Sequence, residues 1–443
     1  MATTSDLIET LRRTGRTGGS DLARILGVSP ATLSRLVRAA GEDVCRIGKR
    51  RGATYALRRA IRGLPRALPV FRVDREGAIA RLGTLHPLAD GGHWLEREEG
   101  PGVLYEGAPP FVADMQPQGL LGAPFARFHP DLELPPRLQD WNDDHRLIAL
   151  ARRGEDCVGN LLVGEESLQR FWTDAESGVS PVPDSAYPEY AQHAADRPAG
   201  SSIGGEGPKF LAFSETTGQH VLVKFTSGRD DAGERRWRDL LACEAIALET
   251  LGDREIAVPD VRILDVGARR FLEVTRFDRR GERGRIGVVS MSAWDAEHLG
   301  LGTNWTTIAK GMARQRALSD HDLDRIRWLD AFGALIGNTD RHAGNITFYA
   351  PDPGDRTARL SLAPVYDMLP MCLAPAEARI RPSDYAPKPP DGDHLDVWPD
   401  AAAAAEDFWD RVTRDARVSA AFQSAAVSSR EALARIRGRV APS

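Results

Sequence analysis

Ile336-Gly337-Asn338-Thr339-Asp340-Arg341-His342-Ala343-Gly344-Asn345-Ile346 is the stretch on which the reading of the whole chain turns. Asp340 and Asn345 have the D-x-x-x-x-N spacing of a kinase catalytic loop. That chemistry needs a carboxylate to orient or deprotonate an acceptor hydroxyl, and an amide oxygen beside it to hold a magnesium ion. An apolar helical stretch, 328–336, leads into the loop, and a strand, 346–349, leads out of it. After a turn at 352–356, a further strand at 359–363 runs into Pro364-Val365-Tyr366-Asp367-Met368. Asp367, just past that strand, is placed like a second magnesium-binding acid. It opens D-M-L rather than D-F-G, so the usual activation-segment switch is not implied.

Upstream lies Gly200-Ser201-Ser202-Ile203-Gly204-Gly205-Glu206-Gly207-Pro208-Lys209-Phe210. Its glycines, Gly204 and Gly205 among them, let backbone N–H groups come close to a phosphate. The alternative for such a loop is a flexible turn. It is not G-x-x-x-x-G-K-[ST], so a P-loop NTPase is not indicated. Strands at 210–213 and 219–225 follow, and the second carries Lys224 in an apolar run. Lysine is scarce: Lys49, Lys209, Lys224, Lys310 and Lys388 are all there are among 58 basic residues. A strand lysine after a glycine-rich hairpin matches a kinase's phosphate-binding lysine, rather than an edge lysine turned to water. A long helical stretch, 236–251, contains Glu244, which is either the partner of Lys224 or an exposed surface acid. Strands at 261–266 and 271–275 then lead to Arg276-Phe277-Asp278-Arg279, the place for a hinge between two lobes. The Pro-, Ser- and Ala-rich segment 177–198 reads as a mobile loop. Helices fill 401–439, and 384–398, with three prolines, reads as a surface loop.

The net charge of −5 over 443 residues conceals an asymmetry. Residues 1–66 hold 14 Lys+Arg against 5 Asp+Glu, a net of +9, and the rest of the chain carries −14. A basic head on an acidic body suggests two partners. In the head, a helix at 4–14 precedes a second at 21–26, capped by Ser20 and ended by Gly27. A third starts at Ser29-Pro30 and runs to about Ala40. This pattern resembles a helix-turn-helix. Leu33, Leu36 and Val37 face inward, and Thr32, Ser34, Arg35 and Arg38 face a DNA major groove. Strands at 43–47 and 53–57 flank Lys49-Arg50-Arg51, a basic tip suited to phosphate or minor-groove contact, as in the wing of a winged helix. The alternative is a small helical domain with a solvated basic face. Pro65 and Pro69 bracket a linker, and 67–150 begins as a β-rich subdomain with helices at 140–152 and 165–173 beyond it. No apolar run of membrane-spanning length occurs, no secretory signal opens the chain, and the four cysteines form no C-x-x-C pair. A reducing cytoplasm and no membrane partner are expected.

Together, Ser202–209, Lys224, Val274-Thr275-Arg276-Phe277-Asp278-Arg279, the 338–345 loop and Tyr366-Asp367 resemble the HipA family of bacterial toxin serine/threonine kinases. The basic head fused to this body resembles the YjjJ branch; in most of the family a separate antitoxin supplies the DNA-binding part. The resemblance covers roughly residues 67–443 and implies an α+β fold: a two-lobed, protein-kinase-like body related to phosphatidylinositol kinases, here with an N-terminal winged helix-turn-helix. The implied domains are 1–66, 67–150, an ATP-binding lobe at 151–280 and a helical catalytic lobe at 281–443. The implied cofactors are ATP and Mg²⁺. Asp340 is implied as the catalytic aspartate, Asn345 and Asp367 as magnesium ligands, and Lys224 as the phosphate lysine. His342 and Tyr366 are implied as nucleotide contacts, and Ser202 as an inactivating autophosphorylation site. Thr275 stands where a hinge glutamate is usual, and Gly344 where a lysine is common. Family members act on proteins, including aminoacyl-tRNA synthetases, so a translation component is the implied protein substrate. Half-site recognition on DNA would favour a homodimer. Two other readings stay open: a DNA-binding regulator whose kinase-like body senses a nucleotide without phosphoryl transfer, and a small-molecule kinase.

Overall fold

The computed structural model describes residues 2–48, 52–115, 125–195, 208–350, 359–375 and 385–440. They form two compact units, the second holding Phe125 and the described residues from Val179 onward.

The first unit opens with α1 (Thr4–Thr14), started by a capping box between Thr3 and Asp6. After the short β1 (Thr17–Gly18) comes α2 (Gly19–Leu26), ended by Gly27 in the left-handed region. This helix begins before Ser20, so the expected Ser20 cap does not form; Gly18 holds the cap position. In α3 (Pro30–Ala40), Ser29 Oγ accepts from the Thr32 N–H and Pro30 sits where no N–H is needed. The strands β2 (Val44–Ile47) and β3 (Thr54–Leu57) complete an antiparallel sheet of order β1-β3-β2. Leu7, Leu11, Leu22, Leu33 and Val44 close the core between helices and sheet, with Leu36 and Val37 packed against it.

The head is not tethered by a linker. Cys45, Ile47 and Ala56 share one apolar cluster with Leu88 and Trp94. The backbone is stitched across the same seam, Arg59 N–H donating to Pro87 (2.8 Å) and Ala89 N–H to Leu57 (2.9 Å). The expected linker fails because one face of β2 and β3 is apolar and needs a cover. That cover belongs to a sheet of order β7-β6-β5-β4-β8, formed by β4 (Leu68–Val73), β5 (Ile79–Pro87), β6 (His93–Arg97), β7 (Val103–Tyr105) and β8 (Leu161–Val163). The helices α4 (Pro110–Met115), α5 (Asp143–Arg153) and α6 (Glu165–Ser177) accompany it. Because β8 pairs with β4 (Val70 opposite Val163), residues 151–178 belong to the first unit. The boundary expected at 150/151 therefore moves to Gly178.

The second unit starts where a mobile loop was expected. Residues 187–195 are instead a helix, α7 (Tyr187–Ala195). Its Tyr187 and Ala191, one turn apart, are both fully buried against Phe210, Val221, Val223 and Phe271. The composition concealed those anchors. A four-stranded antiparallel sheet of order β11-β12-β10-β9 carries β9 (Lys209–Ser214), β10 (Gln219–Phe225), β11 (Val261–Val266) and β12 (Arg269–Thr275). Strand alternation sends Val221, Val223 and Phe225 to the α7 face. The opposite face packs against α8 (Ala232–Gly252) through Leu241, Ala245, Leu272 and Val274.

One short pair, β13 (Arg279–Arg280) with β14 (Gly284–Arg285), follows, then β15 (Val288–Ser290), α9 (Met291–His298), α10 (Trp305–Arg314) and α11 (Asp320–Leu335). The small sheet β15-β16-β17 uses β16 (Thr347–Tyr349) and β17 (Ser361–Leu362). The helices α12 (Trp398–Arg414) and α13 (Ala420–Val440) close the unit. Ala401, Ala402, Ala404 and Ala405 are all fully buried, so the alanine run is a closely packed core helix. Trp398, at its start, is buried too, which ends the expected surface loop one residue early. Among the described residues no helix is long and apolar enough to cross a membrane.

Candidate active site

Lys224 lies on the α8 face of its sheet, because the alternate positions Val223 and Phe225 are taken by the opposite core. There Nζ meets both carboxylate oxygens of Glu244 at 2.6 and 2.7 Å, and it also contacts Asp367 Oδ1. Glu244 is 1 % exposed, so the choice left open in the sequence falls to the ion pair. Burial opposes the charge on Lys224, but Asp367 and Glu244 outweigh it and raise its pKa. Burial raises the Glu244 carboxyl against the pull of Lys224. For Asp367, burial is outweighed by Lys224, Lys209 and His342 together, and its carboxyl falls below the usual range.

Lys209 is a residue the sequence reading passed over. It stands directly opposite Lys224 in the β9–β10 ladder, and opposed residues of an antiparallel pair project to one face. Two of the chain's five lysines thus share the face above Asp367. The signal was present in Pro208-Lys209-Phe210, but register is needed to read it.

The catalytic-type loop begins at Gly337, where φ is +77° and an added Cβ would lie 2.4 Å from Cys372 Sγ. Only glycine fits that turn. Asn338, fully buried, accepts the Asp340 N–H on Oδ1 (3.0 Å) and donates Nδ2–H to the Asp367 carbonyl (3.2 Å). Asn345, 7 % exposed, donates its amide N–H to the Asp340 carbonyl (2.9 Å), leaving Oδ1 as its oxygen for a cation. The Trp305 indole donates to the His342 carbonyl (2.7 Å). The Gly344 N–H donates to His342 Nδ1 (3.1 Å), which in the neutral ring puts the imidazole proton on Nε2. Tyr366 donates to the Gly344 carbonyl (3.0 Å), and its ring stacks on Phe277 with centroids 5.8 Å apart. Arg341 pairs with Asp330 (3.1 Å). Asp330 also accepts from Thr306 (2.9 Å), next to His394.

Asp367 has φ +55°, a left-handed conformation costing a non-glycine residue roughly 1–3 kcal/mol. Such a residue persists only where its surroundings hold it, here Lys224 on the carboxylate and Asn338 on the carbonyl. The structure therefore brings Lys224, Asp340, His342, Asn345, Tyr366 and Asp367 into one connected region. Ser202, Gly204 and Gly205 lie outside the described residues. In the first unit, Ser34, Arg35 and Arg38 are exposed on α3, while Thr32 is half-buried and tied to Ser29 and Arg35. Lys49, Arg50 and Arg51 lie outside the described residues.

Residues 64–172 match the YjjJ-like toxin middle domain, and residues 201–433 match the HipA-like C-terminal domain. The chain is 35 % identical over 437 residues to Toxin YjjJ of Escherichia coli (strain K12), covering 96 % of this chain and 97 % of that protein. Among solved structures, HipA of Shewanella oneidensis MR-1, from its complex with HipB and operator DNA, superposes with a TM-score of 0.52. That match spans 84 % of this chain and 97 % of HipA at 14 % identity, and so speaks for the fold. The Helicobacter pylori proinflammatory kinase CtkA gives 0.37 over 55 % of this chain and 94 % of its own, at 14 % identity. By extent and identity, the chain belongs to the HipA-like toxin family, as a homologue of Toxin YjjJ.

Proposed function

We propose that the second unit is an ATP- and Mg²⁺-dependent serine/threonine protein kinase of the toxin type, and that the first unit carries a DNA-binding winged helix-turn-helix. The kinase reading rests on one observation: Lys224, ion-paired with Glu244 and Asp367, on the same unit as a loop bearing Asp340 and Asn345. Lys224 and Lys209 would neutralise the triphosphate. Asp340 would orient the acceptor hydroxyl, whose oxygen attacks the γ-phosphorus. The bond from that phosphorus to the bridging oxygen of ADP breaks, ADP leaves with the electron pair, and the hydroxyl proton passes to Asp340. Rate would come from positioning and charge stabilisation, with no covalent enzyme intermediate.

The Asn345 amide and the Asp367 carboxylate are hard oxygen donors, and two of them suit Mg²⁺, which keeps several waters. When bound, it would supply charge neutralisation at the phosphates. Stacked Phe277 and Tyr366 offer an aromatic wall for a nucleotide. The acceptor class is a protein hydroxyl, with Ser202 of the chain itself the first candidate and a translation component, such as an aminoacyl-tRNA synthetase, the external one.

For the head, α2, the glycine turn and α3 form the helix-turn-helix, with Ser34, Arg35 and Arg38 on the exposed face. The hairpin β2–β3 would be the wing. The HipA neighbour is known in complex with a separate HipB and operator DNA. Here a DNA-binding element would be built into the toxin chain, acting in the cytoplasm, with a homodimer suited to paired half-sites.

Incubating the full chain with labelled ATP and Mg²⁺, followed by mass spectrometry, tests the kinase. Label on the chain that disappears in Asp340→Ala is the expected result. Label surviving that substitution would remove Asp340 from its role. ATP-induced thermal stabilisation without any label would favour the nucleotide-sensing regulator.

A further inference from the structure

Asp340 and Asp367 sit on separate segments, one after α11 and one after β17. One side chain spans the gap between their backbones. Asn338 is fully buried, and both ends of its carboxamide are used: Oδ1 accepts the Asp340 N–H at 3.0 Å, and Nδ2 donates to the Asp367 carbonyl at 3.2 Å. The same nitrogen lies 3.7 Å from Met368 Sδ. The orientation of the amide follows from its partners, since flipping it would set an N–H against an N–H and an oxygen against an oxygen. Its own carbonyl is held by Arg341, which is anchored to Asp330 on α11.

We infer that Asn338 is a positioning residue that sets the spacing of Asp340 and Asp367. The inference rests on the kinase reading. Its physical content is narrow. Asp367 occupies a strained left-handed conformation, and its carbonyl is held by the Asn338 amide. Without that hold, only Lys224 fixes Asp367, and the direction of its carboxylate toward a cation loosens. The Asp340 loop loses the acceptor that fixes its backbone in the same stroke. Lys224 and Lys209 keep their strand positions, because their placement comes from the β9–β10 register.

That division gives a split between readouts. In full-length Asn338→Ala, binding of a fluorescent ATP analogue in EDTA should stay within about threefold of the parent, since the lysines are untouched. The Mg²⁺ concentration for half-maximal ATP binding should rise, and the labelling rate fall, by roughly 10–100-fold, the usual effect of removing an outer partner of a metal site. Asn338→Asp keeps an acceptor for the Asp340 N–H and has no N–H for Asp367. It should recover much of the labelling rate at saturating Mg²⁺ while its half-saturation stays raised. An unchanged Mg²⁺ half-saturation in Asn338→Ala overturns the inference. So does a loss of EDTA-state ATP binding that tracks a fall in melting temperature, which would mark a mere support of the fold. If the parent chain itself shows no labelling, the kinase reading fails, and the Mg²⁺ dependence of ATP binding still decides the role of Asn338.

Discussion

Replacing Lys224 with methionine keeps the length of the stem and deletes the cation that touches both Glu244 and Asp367. What remains is a carboxylate at 1 % exposure facing a second one, with Lys209 acting on Asp367 from the neighbouring strand. Removing one partner of a buried ion pair costs about 3–5 kcal/mol, and Lys209 argues for the lower end. At about 2–4 °C per kcal/mol for a unit of this size, melting should fall by roughly 6–12 °C near neutral pH. The loss has a defined pH dependence. Burial already raises the Glu244 carboxyl, and losing Lys224 raises it further. A carboxyl raised above its unfolded value adds stability that is complete below that value and disappears as pH rises through the folded one. The deficit of Lys224→Met should therefore shrink as pH falls from 7.5 toward 5. Adding Glu244→Leu removes the stranded acid and should restore at least half of the lost melting temperature, because an apolar replacement for a buried pair is often neutral. Circular-dichroism melts of the parent, the single and the double variant at both pH values decide it. A single variant melting within about 2 °C of the parent, or a double variant below the single, would refute the reasoning.

Three other outcomes are expected. Arg35→Ala and Arg38→Ala should each weaken duplex DNA binding, with the log–log salt slope falling by about 0.9 for each that meets a phosphate, read by fluorescence anisotropy on the full chain; affinity and slope both unchanged would take α3 off the DNA. His394 is held above its usual pKa by the Asp330 carboxylate, 3.7 Å from Nε2, against burial and with help from Asp391. Its stabilisation is present below about pH 6.5 and lost as pH rises through the folded value, so melting should drop over that range in the parent and stay flatter in His394→Asn. Gly337→Ala combines φ +77° with a Cβ contact of 2.4 Å on Cys372, so it should destabilise the chain and slow labelling; a variant indistinguishable from the parent would show that the turn relaxes freely.

The head's helices and the D-x-x-x-x-N loop were legible because their determinants are local. Ser29-Pro30 starts a helix and Gly41 stops one through bonds made within a few residues. The α2 start was misplaced because Ser20, a good cap by type, lies inside the helix. Within the segment 177–198, residues 187–195 were misread for a different reason. Their polar, Pro-containing composition describes a loop, and what makes 187–195 a helix is Tyr187 and Ala191 burying themselves on a sheet formed later in the chain. Tyr187 also donates to buried Glu273, a partner 86 residues away. The domain boundary erred likewise, since β8 owes its place to β4.

Residue types and spacing alone supplied the candidates: an acid and an amide five residues apart, a second acid, a scarce lysine in a strand, and a basic head on an acidic body. Only the tertiary structure decided which of these meet. It paired Lys224 with Glu244 rather than leaving that acid on the surface, set Lys209 opposite Lys224, and put Asn338 between Asp340 and Asp367. It also turned the +9 head from a tethered module into part of the first unit, through the cluster of Ile47 and Ala56 with Trp94. The physical reason is range: caps, turns and strand alternation act over a few residues, whereas register, burial and ion pairing depend on segments far apart in the chain.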